Sequence, residues 1–206
     1  MLGMILAVLL KEVRGASFIK SAIFLGMVTP MIVGGTLIRF LFDENAGIIN
    51  AFLRLIGLVQ FTKSWTAYPD TAMLALILGS VWLWAGFSMT LYSAGLATIP
   101  KELYEAAKVD GANALEELFY ITIPSLRPVT MTVVAMTVLW ELKIFDIVYT
   151  ATLGGPGGSS TVLALQMYFL AFRALKPNLA AVIATFLTAS TLIIGLWFVR
   201  STRRGD

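Results

Sequence analysis

Apolar residues run in long blocks separated by a few polar stretches, and block length sets the first expectations. A helix rises 1.5 Å per residue, and about 20 apolar residues cross the hydrocarbon of a bilayer. Residues 18–42, 71–96, 129–150 and 179–199 each reach that length. Residues 1–10 are equally apolar but cover only about 15 Å, half a bilayer. The pattern predicts an all-α integral membrane protein with four full transmembrane helices and an N-terminal partial helix. The opening run precedes its first basic residue, Lys11, which reverses the order of a signal peptide. The run reads as the inner end of a longer helix whose start is missing, an apparent N-terminal truncation, or as a half-helix packed against partners.

Local signals refine the blocks. Pro30, with Gly26, Gly34 and Gly35 around it, predicts a kink in the first span. Gly79, Gly86, Thr90 and Ala94 place small residues on one face of the second span, where another helix can approach closely. Between these spans, Ile48, Ile49, Phe52, Leu53 and Ile56 recur at helical spacing before Gly57 and predict a short amphipathic helix at the membrane surface. Trp65 and Tyr68 suit the headgroup belt. Gly154-Gly155-Pro156-Gly157-Gly158 marks a turn-rich break after the third span.

Composition narrows the class. The chain is 58% hydrophobic and 13% charged, against about 25% charged for soluble domains. The net charge of +3 then reads as loop topology rather than nucleic-acid binding. If residues 161–175 do not cross, the inner side holds Lys11, Arg14, Lys20, Lys101, Lys108, Arg127, Arg200, Arg203 and Arg204. The outer side holds Arg39, Arg54, Lys63, Arg173 and Lys176. This asymmetry favours a re-entrant or interfacial 161–175. The whole chain, 1–206, reads as one transmembrane domain. Residues 11–20 and 97–127 are expected to be cytoplasmic, and 43–70 and 151–178 extracytoplasmic. There is no cysteine and no histidine. No thiolate or imidazole metal site, no Ser-His-Asp triad and no catalytic residue is expected. No Gly-x-x-x-x-Gly-Lys-Ser/Thr pattern occurs, so no bound nucleotide or other cofactor is expected.

Residues 97–127 carry eight charges: Lys101, Glu102, Glu105, Lys108, Asp110, Glu116, Glu117 and Arg127. Pro100 suits the start of a helix, with Glu102 near its positive end. Gly111 suits the helix C-terminus. Asn113 followed by Glu116 reads as a capping box opening a second helix, with Leu115, Leu118, Phe119 and Thr122 on one face. Pro124 and Pro128 are expected to end it. Ala106, Ala107, Gly111, Ala112 and Ala114 keep the outer side low in volume, which suits close docking against a partner.

These residues resemble a known family. Glu105-Ala106-Ala107, Gly111, Ile121 and Ile123-Pro124 match the EAA loop of ABC importer permeases, with Ile123 where leucine is usual. Ile99-Pro100-Lys101-Glu102-Leu103-Tyr104 is similar to the sugar-importer version of that loop. Residues 146–160, with Leu153-Gly154-Gly155-Pro156-Gly157, resemble the outer loop of maltose-type and glycerol-3-phosphate-type permeases. The resemblance runs from Lys11 to Arg204 and implies a type I importer permease core in a prokaryotic cell membrane. It implies four kinds of partner: a second permease subunit, by preference a paralogue, two cytoplasmic ABC ATPases, an extracytoplasmic solute-binding protein, and the bilayer. No nucleic acid is implied. By resemblance residues 100–111 form the coupling helix. Glu105, Ala106, Ala107 and Gly111 would then dock on the ATPase, with Ile121 and Pro124 anchoring the loop to its own helices.

For the solute pathway, ionisable residues inside a span are the natural candidates. Thr130, Thr137, Glu141, Phe145 and Val148 fall on one face of a continuous helix, with Tyr149 one turn beyond Phe145. Glu141, Phe145 and Tyr149 offer the polar group and aromatic platform that carbohydrate binding uses. Lys143 and Asp146, three apart, offer the plainer alternative of mutual neutralisation. A permease for another solute such as polyamine, phosphate or an oxyanion is the second reading. A secondary transporter or channel is a third, against which stands the lack of inverted repeats. A membrane enzyme would have only carboxylates and hydroxyls to work with.

Overall fold

Every regular element in the described residues, 1–11 and 13–202 of the computed structural model, is helical. Arg203 and Arg204, counted above with the inner charges, lie outside the described residues. In chain order the helices are α1 (Leu2–Leu9), α2 (Ala16–Val28), α3 (Met31–Leu41), α4 (Ile48–Leu55), α5 (Pro69–Thr98), α6 (Lys101–Val109) and α7 (Ala114–Glu116). A π turn, Glu117–Thr122, leads into α8 (Ile123–Ser125), followed by α9 (Arg127–Glu141), α10 (Asp146–Ala151) and α11 (Leu163–Tyr168). A second π turn, Phe169–Arg173, precedes α12 (Pro177–Thr202).

By length and apolarity α5 and α12 can each cross a membrane alone. Two further spans exist if each bent helix pair, α2 with α3 and residues 114–125 with α9, counts as one. The four expected spans are thus at most two whole helices and two broken ones. At Pro30 the expected kink is a full break: α2 ends at Val28 and α3 restarts at Met31 with Pro30 as an extended N-cap. The proline ring removes a donor and disfavours helix at Thr29. The third span also breaks. Helix α9 stops at Glu141, and Phe145 opens α10. Thr130, Thr137, Glu141, Phe145 and Val148 therefore do not share one helix face. Asp146 in the first turn of α10 meets a positive helix end there. Residues 163–173 are a short apolar helix below spanning length.

Packing separates the chain into two compact units. One holds Met1–Met27, Trp84–Val138 and Gly195–Asp206, the other Val28–Leu83 and Leu139–Ile194. The first is built on buried Ala7, Met89, Tyr92, Leu96, Ile99, Leu126 and Val133. Gly86 brings α5 against α2 so closely that an added Cβ would lie 2.7 Å from the Phe24 Cα. That contact accounts for Gly86, while Thr90 and Ala94 of the same stripe are exposed. The Tyr92 hydroxyl donates to Thr130 Oγ1 at 3.1 Å, satisfying a polar group inside the cluster. The second unit is built on Ile38, Phe42, Leu76, Leu83, Ile147 and Leu165, with α3 packed along α10.

Candidate functional sites: the 97–127 segment and an aromatic cluster

The 97–127 segment is held together by its own caps. Helix α6 runs Lys101–Val109, with Pro100 as its N-cap rather than its first residue. It closes in a Schellman motif: the Ala112 N–H donates to Ala107 O at 2.9 Å and the Gly111 N–H to Lys108 O at 3.1 Å. Gly111 has φ +82°, and a Cβ there would meet nothing within 4 Å. Glycine is thus required by the left-handed backbone and not by crowding. Asn113 opens α7 through the expected capping box. Its Oδ1 accepts from Leu115 and Glu116 N–H, while the Glu116 carboxylate accepts from the Asn113 N–H at 2.7 Å.

The second helix does not end at Pro124. It widens into the π turn Glu117–Thr122 and continues through Pro124 to Ser125. A π turn relieves the clash of the proline ring with the preceding turn. The Thr122 hydroxyl donates to Glu117 O five residues back, at 3.3 Å. Pro128 lies inside the first turn of α9, where its missing N–H costs nothing.

Each predicted docking residue has a place. Glu105, Ala106 and Gly111 are exposed, and Ala107 is half-buried. Around them Leu103, Val109 and Leu115 are exposed apolar side chains, Val109 at 87%. Ile121 packs against the first unit's core, together with Tyr104. Pro124 is exposed, so of the two expected anchors only Ile121 contributes to that core. Sequence reasoning missed the remaining anchor. The Tyr104 and Thr122 hydroxyls are 2.9 Å apart, and the Lys11 ammonium sits 4.6 Å from the Tyr104 ring centre. This ties α6 to the turn before α9. A tyrosine on the inner face of an otherwise charged helix was the available signal.

Of the pathway candidates, Phe145 and Tyr149 come together. Their rings stack with centroids 5.3 Å apart, and both touch Tyr168, at 5.3 and 5.5 Å. Tyr168 also contacts Phe172. Beside them a cavity of about 500 Å³ is lined by Lys143, Phe145, Tyr168 and Phe172 on one side and Ala180, Ala181 and Ala184 of α12 on the other. Glu141 ends α9, half-buried, and does not line it. Lys143 and Asp146 form no ion pair. Tyr168 and Phe172 were absent from the sequence candidates because residues 161–175 offered only an apolar run.

The break after residue 152 is held by hydroxyls: Thr152 Oγ1 and Ser160 Oγ are 2.8 Å apart, and Ser160 donates to Gly155 O at 2.7 Å. Residues 43–70 are organised by Asn50, which is fully buried although it lies on the expected amphipathic helix. Its amide donates to Asp43 O and Lys63 O, both at 2.8 Å. The Asp43 carboxylate accepts from Ala46 and Asn45 N–H, which holds it below the usual carboxylate range. No group of three or more acidic residues is arranged to hold a metal among the described residues.

Comparison with known proteins assigns the chain. The family described as binding-protein-dependent transport system inner membrane component matches residues 1–204. A probable ABC transporter permease protein of Pyrococcus horikoshii is 59% identical over 99% of this chain and 69% of its own length. The trehalose/maltose transport system permease protein MalF of Thermococcus litoralis is 32% identical over 81% of this chain and 56% of its own. In structure, a chain of a bacterial ABC transporter that imports the acidic polysaccharide alginate superposes with a TM-score of 0.83. It is 22% identical, over 98% of this chain and 72% of its own.

Proposed function

The chain belongs to the binding-protein-dependent transport system inner membrane components, as a permease of an ABC importer, and from that premise we propose that its solute is a sugar or oligosaccharide. The observation that carries this is the agreement among relatives. Permeases for trehalose/maltose, lactose, arabinooligosaccharides and diacetylchitobiose are each 30–33% identical. The aromatic cavity supports it, because the Phe145, Tyr168 and Phe172 rings that line it offer the flat apolar faces that pyranose rings prefer. In this reading Phe145 and Tyr149, with Tyr168, face the solute pathway.

Transport then follows from the 97–127 segment. ATP chemistry belongs to two partner ATPases. Helix α6 sits in a groove of one of them and converts its closure into motion of the membrane helices. Glu105, Ala106, Ala107 and Gly111 form the contact, and Ile121 passes the motion to the core. A second permease completes the pore, a solute-binding protein docks outside, and residues 43–70 and 151–178 face that side. The self-capped, exposed form of α6 supports this, because such a helix moves as one body.

The test is capture of the tagged full chain in mild detergent from its own cells. The expected result is co-purification of an ABC ATPase, another permease and a binding protein carrying a saccharide. A chain that purifies alone and sustains uptake without ATP would overturn the importer mechanism. A captured binding protein carrying a non-carbohydrate solute would overturn the sugar assignment alone.

A further inference from the structure

Between the spans of the second unit lies an apolar surface that transport does not use. Ile48, Phe52 and Leu55 share one face of α4, and all three are exposed. Ile56 ends that helix, and after Gly57 a single 3₁₀ turn, Val59–Phe61, adds two more exposed apolar side chains. So many large apolar groups in one exposed stretch mark a contact surface.

The backbone beneath it is closed on itself. The Gly57 N–H donates to Arg54 O at 3.1 Å and the Leu58 N–H to Leu53 O at 2.8 Å. The Phe61 and Thr62 N–H groups and the Thr62 hydroxyl bond to carbonyls of Leu58 and Val59. Water would satisfy such groups unaided, whereas a hydrocarbon boundary demands internal partners. The charges of 43–70 offer no basic face: Asp43, Glu44 and Asp70 stand against Arg54 and Lys63, and Lys63 is bound to Asp70 at 2.5 Å. Within the patch only Gln60 can hydrogen-bond, whereas a reversible protein interface sets several polar contacts among its apolar ones. The two ends of the segment meet at the ends of the flanking spans. The Trp65 N–H donates to Phe42 O at 3.1 Å, and Asn50 bonds both Asp43 O and Lys63 O.

We propose that residues 48–61 form a pad inserted among lipid acyl chains by apolar contact alone, and that it holds the end of α3 at a fixed depth. Through α3, which packs along α10, the pad braces the second unit against the bilayer. The proposal depends neither on the solute nor on which side of the membrane the segment faces.

The chain has no cysteine, so nitroxide labels can be placed singly in the assembled importer in liposomes. Collisions with oxygen, which concentrates in lipid, and with a water-soluble nickel chelate report the surroundings of each label. Labels at Phe52→Cys and Leu55→Cys should favour oxygen, and a label at Ala46→Cys, exposed in the polar turn before α4, should favour nickel. The oxygen preference should persist in wholly zwitterionic lipid, at high salt and with added binding protein. In a chain carrying Phe52→Ser and Leu55→Ser, a label at Phe40→Cys, exposed on α3, should shift towards nickel. Nickel preference at 52 and 55 leaves the patch in water and overturns the pad. Shielding from both reagents overturns it too: it assigns the surface to the second permease, or to the binding protein if shielding appears only on its addition. Loss of the oxygen preference in zwitterionic lipid or at high salt overturns insertion by apolar contact. An unmoved Phe40→Cys label overturns the hold on α3.

Discussion

Residues 43–70 and 97–127 are both polar interruptions of an apolar chain, and both contain a short helix ended by a left-handed glycine, Gly57 in one and Gly111 in the other. They differ in where the polarity points. In 43–70 one polar side chain turns inward: Asn50 is buried against backbone carbonyls, while Arg54 donates to Glu44 O at the surface. Its apolar Ile48, Phe52 and Leu55 face out at 64%, 58% and 82% exposure. In 97–127 the order is mixed. Charged Glu105 and small Ala106 share the outside with exposed Leu103 and Val109, and the inward contacts are Tyr104 and Ile121. An outward apolar face over a polar staple suits lipid. Small, charged and apolar groups interleaved on a self-capped helix suit a protein groove.

The largest break in this comparison should come from Asn50→Leu. It leaves the part-buried Lys63 carbonyl without its donor and the Lys63 N–H without its acceptor, at about 2 kcal/mol. Limited proteolysis should open residues 43–70 while attachment of the ATPase persists. Gly111→Asp comes next. Its left-handed backbone costs about 1 kcal/mol in any residue with a Cβ, and the new charge sits on the docking face. Quantitative co-purification should show ATPase retention falling about ten-fold with membrane insertion intact. Gly111→Ala carries the backbone cost without the charge and should fall much less.

Asn113→Ala removes the capping box, worth about 1 kcal/mol, and hydrogen exchange should rise at residues 114–116 only. The smallest effect is the acid response of Asp43. Its carboxyl is held below the ordinary value of 3.8 by the Ala46 and Asn45 N–H groups. A lowered value stabilises the fold above the unfolded pKa and loses that contribution as pH falls through the folded one. Protease protection of residues 43–70 should be flat near neutrality and decline only under strong acid.

The sequence made the two interruptions legible unequally. Caps are local, so Gly111, Asn113 and Glu116 were readable from spacing alone, as was the α4 stop at Gly57. Spans were readable as apolar blocks, but not their integrity. Pro30 and Pro124 carry the same local signal, yet Pro30 breaks its helix and Pro124 passes through a π turn. The break after Glu141 had no glycine or proline to announce it. Asn50 was hidden because its partners, at residues 43 and 63, are joined to it by folding rather than by helical spacing. The aromatic cavity was partly visible: Phe145 lines it and stacks on Tyr149 one turn away, while Tyr168 and Phe172, which also line it, come from a later part of the chain.

Cross-linking in the native membrane tests the coupling assignment most directly. With no native cysteine to interfere, Ala106→Cys on α6 and Ala67→Cys in the 43–70 segment can be compared in one experiment with a short bismaleimide. The account predicts that Ala106→Cys joins the chain to an ATP-hydrolysing subunit carrying a cysteine in its docking groove, and that Ala67→Cys does not. An ATPase cross-link from Ala67→Cys, with none from Ala106→Cys, would contradict it.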